Sequence, residues 1–241
     1  AGTVALAAGE MITLTIDGAG SLAGMTTTPS TIATLVENKH AVLAPDGQII
    51  LSAVALDKLQ AGVIKNSGSL EANSISNKGG KIYLEGDDIT LASTSKIEAK
   101  GATGGGTVLV GGDWQGSGDM RQATKVTMEA GASIDASATD KGDGGKVVLW
   151  SDVHNANSVT QANGRIDAKG AGTGQGGQVE TSGHDLKVGD ALQVNTGGGQ
   201  WLLDPYDITI GTGNSNTSGN TVGSLTTYTA SASGASVNYT T

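Results

Sequence analysis

The chain of 241 residues carries 39 Gly, no Cys and no Phe, with only 3 Trp and 4 Tyr, so any core must be assembled from Val, Ile, Leu, Ala and Met. Glycine at about 16%, against an ordinary usage of roughly 7%, argues against a helical protein; zero Cys excludes disulfides, thiolate metal sites and a Cys nucleophile, and fits an exported chain. With 14 basic against 23 acidic residues the net charge is −9 and no basic block occurs, which disfavours nucleic acid and anionic membrane surfaces as partners.

In chain order, the first expected strands are Thr3 to Ala7 and Ile12 to Ile16, after an opening Ala1-Gly2-Thr3-Val4 that reads as a mature or excised, soluble segment. Leu35-Val36-Glu37-Asn38-Lys39 follows, then Gly47-Gln48-Ile49-Ile50-Leu51, the first copy of a motif built from a glycine, a polar residue and an alternating apolar strand. Ala53 to Ile64 is weakly amphipathic, with one helical turn or a protruding loop expected there. The glycine motif recurs at Gly80-Lys81-Ile82, Gly106-Thr107-Val108, Gly145-Lys146-Val147, Gly177-Gln178-Val179 and Gly199-Gln200-Trp201. A second motif precedes the middle copies at Leu70-Glu71-Ala72, Ile97-Glu98-Ala99, Ile134-Asp135-Ala136 and Ile166-Asp167-Ala168, and a third lies at Ile89-Thr90-Leu91, Val126-Thr127-Met128, Leu186-Lys187-Val188 and Ile208-Thr209-Ile210. From Gly211 to Thr241 the chain turns Gly, Ser, Thr and Asn rich, as a solenoid end or linker would.

Period-2 alternation assigns each motif to a strand. In Lys81-Ile82-Tyr83-Leu84-Glu85, Ile82 and Leu84 face one way and the others the opposite way. Three short strands with one apolar face each cover those faces by winding about a common axis, so residues 1–210 are expected to form an all-β, parallel β-solenoid with three strands per coil. Corner glycines are expected to supply bends with φ > 0. At roughly 20 to 22 residues per coil the chain would make about 11 coils, a rod on the order of 50 Å long. An antiparallel sandwich or barrel is the competing fold, but a three-motif cycle is not its signature. The register predicts Val147 and Leu149 inward, with Lys146, Val148 and Trp150 outward or under a loop.

The stretches Gly144-Gly145-Lys146-Val147-Val148-Leu149-Trp150-Ser151-Asp152, Gly164-Arg165-Ile166-Asp167-Ala168-Lys169-Gly170, Gly176-Gly177-Gln178-Val179-Glu180-Thr181-Ser182-Gly183-His184 and Trp201-Leu202-Leu203-Asp204-Pro205-Tyr206-Asp207-Ile208-Thr209-Ile210 together resemble the large exoproteins of two-partner secretion systems, including filamentous haemagglutinin-like and high-molecular-weight adhesins. Leu35 to Lys39, Val63 to Gly68 and Gly111 to Gly116 extend the resemblance over most of residues 1–210. It implies a right-handed β-helix, export through an outer-membrane partner transporter, and adhesion or biofilm work at a Gram-negative cell surface, with a host receptor, glycan or matrix polysaccharide as the bound partner. The family's secretion module carries Asn-Pro motifs, whereas the prolines here are Pro29, Pro45 and Pro205, none after Asn; the chain is therefore expected to begin at or just after that module.

Candidate chemistry is sparse. His40, His154 and His184 form no metal or nucleophile motif, and Asp113, Asp119, Asp140, Asp143 and Asp152 lie beside glycines without a repeating calcium pattern, so both sets are expected to serve turns; no metal and no cofactor is assigned. Ser182-Gly183-His184-Asp185 holds the residue types of a hydrolase triad, but adjacency alone does not make one. Trp114, Trp150 and Trp201 are the candidates for stacking a sugar or cationic ligand. Asn216 and Asn238 open glycosylation sequons, which some adhesins of the resembled family use.

The leading functional expectation is a non-catalytic structural segment of a secreted filamentous adhesin, not an enzyme, with end-to-end or lateral self-association through open coil edges. A polysaccharide lyase or hydrolase on a β-helix is the alternative, weakened by the scattered basic residues and by Arg121 and Arg165 being the sole arginines. A self-assembling or ice-binding face would need a regular Thr ladder, which Thr13-Leu14-Thr15 and Thr26-Thr27-Thr28 do not make.

Overall fold

The computed structural model describes residues 2–17, 22–30, 33–54 and 62–206, and the backbone of 209–211 and 236–238. Strand β1 (Thr3–Ala8) is followed by an antiparallel hairpin of β2 (Met11–Ile16) and β3 (Leu22–Thr28). Six coils of three strands then follow. The first holds β4 (Thr34–Asn38), β5 (Ala41–Leu43) and β6 (Gln48–Ala53), and the second β7 (Gly62–Asn66), β8 (Ser69–Glu71) and β9 (Lys81–Gly86). The third is β10 (Asp88–Leu91), β11 (Lys96–Glu98) and β12 (Thr107–Val110), and the fourth β13 (Lys125–Met128), β14 (Ser133–Asp135) and β15 (Lys146–Trp150). The fifth is β16 (Val159–Ala162), β17 (Arg165–Asp167) and β18 (Gln178–Gly183), and the sixth β19 (Asp185–Val188), β20 (Gln193–Asn195) and β21 (Gln200–Pro205). Beyond them β22 (Thr209–Gly211) pairs in parallel with β23 (Ser236–Asn238).

Equivalent strands stack in parallel into three sheets. The first sheet runs β1-β6-β9-β12-β15-β18-β21, the second contains β4, β7, β10, β13, β16 and β19, and the third β5, β8, β11, β14, β17 and β20. This is the expected right-handed parallel β-helix with three strands per coil.

The register turns the apolar motif positions into ladders along the axis. Val4, Ile49, Ile82, Val108, Val147, Val179 and Trp201 align on the first sheet. Val42, Leu70, Ile97, Ile134, Ile166 and Val194 align on the third. These side chains fill one continuous core in which Ile49, Ile82, Ile97, Ile134 and Leu149 are wholly buried. Each aliphatic group packs against its own equivalent one coil away, which is why so narrow an interior has no place for Phe. Where the core meets the turn between the second and third sheets, polar groups stack instead: the Asn38 amide donates to Asn66 Oδ1 at 2.8 Å, and the Asn66 amide donates to Ser95 Oγ at 2.7 Å.

Two expectations need correction. Six coils are present among the described residues, not about 11, so the seven-stranded sheet spans about 29 Å at about 4.8 Å per strand. The coils are longer than assumed because loops such as residues 112–122 and 136–145 leave the helix between strands. The motif glycines also do not supply φ > 0; the left-handed glycines lie elsewhere, at Gly104, Gly111, Gly131 and Gly142 among others. What motif glycines supply is closeness. A Cβ on Gly145 would sit 2.1 Å from the Gly106 carbonyl oxygen, and one on Gly106 2.2 Å from that of Gly80, so any side chain there would push adjacent coils apart.

The helical turn or loop expected over Ala53 to Ile64 falls largely on residues 55–61, outside the described residues; its flanks are β6 and β7. The tail from Gly211 likewise lies outside them, apart from the backbone of β23 and the end of β22. No helix among the described residues is long and apolar enough to cross a membrane.

Candidate functional site

Outward positions on a solvated sheet should be polar, yet several in the middle coils of the first sheet are apolar. Leu109, Val148, Trp150 and Val153 form a second buried apolar cluster outside the helix, with Tyr83, Trp114 and Met120 packed against it. The cover is the loop of residues 112–122 between β12 and β13. Its base is closed by the Ala123 N–H donating to the Gly111 carbonyl at 2.7 Å, and Gly111 takes φ 81 to make the bend. Gly112 and Gly116 lie directly on the indole of Trp150, where added Cβ atoms would meet ring carbons at 2.4 Å and 2.6 Å.

Polar ties hold this loop at two points. On its C-terminal side the Trp150 indole N–H donates to Gln122 Oε1 at 3.1 Å, and Arg121 Nε pairs with Asp87 Oδ1 at 2.8 Å. The Arg121 N–H also donates to Glu85 Oε1 at 3.0 Å, and the wholly buried Asp87 accepts from the Gly62 N–H at 2.8 Å. At the tip, Gln115 adopts φ 53 and its N–H donates to Glu180 Oε2 at 2.8 Å. Glu180 is wholly buried, and Ser182 Oγ donates to its Oε1 at 2.8 Å. Burial pushes the Glu180 carboxyl up to about 7; the two hydrogen bonds oppose this, while the negative charges of Asp204 and Asp113 add to it.

A second organised surface lies on the third sheet. The acidic residues of the repeated motif stack in register, Glu71 on Glu98 on Asp135 on Asp167. Cations flank alternate rungs: Lys96 and Lys100 reach Glu98 at 2.8 Å and 3.0 Å, and Arg165 and Lys169 reach Asp167 at 2.5 Å and 3.6 Å. Burial pushes the Glu98 carboxyl up, but hydrogen bonds from Lys96, Asn73 and Lys100 outweigh it and hold the group at about 2. Between the third and first sheets runs a shallow groove of about 340 Å³, whose lining joins a single ammonium, Lys146, to a single carboxylate, Asp143, together with Thr107, Gln175 and Gln178.

The three Trp candidates do not converge. Trp150 is 2% exposed and lies under the loop, one of the two placements its register allowed. Trp201 faces inward in register with Val179 and packs against the end of the core, its indole N–H donating to Thr181 Oγ1 at 3.1 Å. Trp114 is half-buried in the loop, with Lys146 Nζ 5.7 Å from its ring centroid. Asn216 lies outside the described residues, and Asn238 is described only as backbone in β23.

The remaining polar candidates scatter as well. His40 and His154 are exposed, while His184 stacks on Tyr206 at 4.6 Å with Nδ1 3.1 Å from the Val153 carbonyl oxygen. Ser182 therefore donates to Glu180, Asp185 pairs with Lys187 at 3.1 Å, and the triad residue types are not connected. Asp113, Asp143 and Asp152 accept backbone N–H groups from Trp114, Gln175 and His154; Asp119 and Asp140 are exposed. Among the described residues no three His, Asp or Glu side chains gather as a metal would require. Sequence reasoning missed Glu180 because alternation places it on the outward face of β18; the available signal was its register neighbour Val148, an apolar residue on that same face.

No family model matches the chain. The heme/hemopexin-binding protein of Haemophilus influenzae is 29% identical over 131 residues, which is 54% of this chain and 13% of that protein. The crystal structure of the HMW1 secretion domain from Haemophilus influenzae superimposes with a TM-score of 0.62 at 30% identity, covering 84% of this chain and 57% of that one. The chain thus spans little more than half of that domain and a small part of the curated relative. In sequence and in fold it is similar to two-partner secretion exoproteins of the high-molecular-weight adhesin type.

Proposed function

We propose that this chain is a non-catalytic β-helical segment of a secreted two-partner exoprotein, forming part of a secretion-type module and not solely a rod that follows one. The observation that carries this reading is the shared fold and 30% identity with a secretion domain across 84% of the chain. Such a segment works by folding outside the cell. Each coil that docks adds a rung to three sheets and buries another set of aliphatic ladders, so folding proceeds from a formed end and is favourable one coil at a time. The partners are then an outer-membrane transporter for the full-length protein and, for the exoprotein as a whole, a host receptor, glycan or matrix polysaccharide, with attachment or biofilm formation at a Gram-negative surface as the outcome.

Deleting residues 33–205 from the full exoprotein, co-expressed with its transporter, tests the assignment. The expected result is loss of the exoprotein from the medium with retention in the periplasm. Normal export of a shortened protein would reduce the segment to a spacer and overturn the reading. Incubating the chain with uronic-acid polymers should yield no unsaturated product; its appearance would favour the lyase alternative and direct attention to Lys146 and Asp143.

A further inference from the structure

We propose that Glu180 is a proton-operated latch on the 112–122 loop: proton uptake closes the loop tip onto the Trp150 ring, and proton loss favours release of residues 113–118 and exposure of Leu109, Val148 and Trp150. The loop is built to move at one end. Its base is closed by the Gly111–Ala123 hydrogen bond, and its C-terminal side is anchored by Arg121 on Asp87 and Gln122 on Trp150. Asp113 and Ser117 bond within the tip itself, to Trp114. What ties the tip to the helix is the Gln115 N–H on Glu180, together with Lys146 lying over Trp114, while from the anchored side the Gln122 amide donates to the Gly116 carbonyl at 3.2 Å.

Two features load this tie. Gln115 is held in the left-handed region, where a side chain is disfavoured, so the closed tip stores backbone strain. Glu180 is wholly buried, and no ion pair to it occurs among the described residues. The charged groups facing it are Asp113 from the loop and Asp204 from β21, both of its own sign, while Lys146 of β15 is turned onto Trp114. Ionisation improves Glu180 as an acceptor for Gln115, but the loss of water around a buried carboxylate outweighs that gain. Opening lets water reach the carboxyl and returns it toward its ordinary value of 4.5 from about 7, so opening releases a proton and is favoured as pH rises between those values.

Amide hydrogen exchange on the whole chain from pH 4.5 to 8, expressed as protection factors to remove intrinsic base catalysis, tests the latch. The protection of Gln115 should fall by at least about tenfold across the interval and then level off. The β15 amides should stay better protected throughout, which marks the opening as local. Glu180→Gln keeps an acceptor oxygen without a titrating proton and should hold the tip closed at every pH. A wild-type profile without pH dependence, equal protection of Gln115 and β15, or the same fall in Glu180→Gln would overturn the proposal. Should Glu180→Gln fail to fold, Asp113→Asn retains the capping oxygen while removing a like charge, so the fall should be smaller and end at lower pH; an unchanged profile would count against the latch.

Discussion

Gly145 lies outside the left-handed region, so its need for glycine comes from the neighbouring coil and not from its own backbone. With the Gly106 carbonyl oxygen 2.1 Å from where a Cβ would be, Gly145→Ala should cost upwards of about 2 kcal/mol through overpacking against backbone that cannot yield, read as a lowered denaturation midpoint. A neutral outcome would mean that the stacking is looser than its geometry. Two residues further on, Val147 is wholly buried whereas its neighbour Lys146 is part-exposed on the outer face. Val147→Asp would bury a charge without a partner and cost roughly 3–5 kcal/mol, while Lys146→Asp should be mild. Equal losses in the two variants would reject the register.

At the scale of the element, the third sheet stacks four carboxylates about 4.8 Å apart, an arrangement that would repel itself without the flanking cations. The strands carrying Glu98 and Asp167 have a cation on either side, and the two remaining rungs, Glu71 and Asp135, carry Ser69 and Ser133 where those strands carry a cation. Lys96 is held above its usual range first by its bond to Glu98 and further by Glu71 and Asp135, so one ammonium serves three rungs. Because Glu98 titrates near 2 when folded and near 4.5 when unfolded, its contribution is present above about pH 4.5 and is lost as pH falls toward 2. Acid unfolding followed by circular dichroism should therefore show a stability loss across that window that is reduced in Glu98→Gln. An identical acid limb in both proteins would show that the ladder adds nothing.

For the whole molecule, each coil touches mainly the coils before and after it, so stability is a sum of local and nearest-neighbour terms. The N-terminal end differs from the rest: β1 adds a seventh strand to the first sheet, and the hairpin after it exposes Met11, Ile12, Leu14 and Ile16. Removing residues 1–28 should leave β15 and β18 protected against hydrogen exchange while fraying β4 to β6. Global loss of protection at Val147 to Leu149 would instead mean one cooperative globular unit, and the stacked-coil description would fail.

The winding of the chain was legible before any coordinates, because Ile82, Val108, Val147 and Val179 sit at the same place in a repeated motif and period-2 alternation dictates which side of a strand is buried. The repeat of Glu71, Glu98, Asp135 and Asp167 was equally visible, as were the cations two residues to either side of Glu98 and Asp167 on the same segments; that the four carboxylates stack on one another was decided by the register of the coils. The number of coils was misjudged because a loop leaving the helix adds residues without adding a rung. Tertiary structure alone decided the state of Trp150 and Glu180: both occupy outward positions that a strand pattern assigns to solvent, and a loop whose sequence is mostly glycine and polar residues folds over them. Alternation reports the face of a strand, whereas burial on that face depends on what a distant segment lays across it, and that information is carried by the packed chain as a whole.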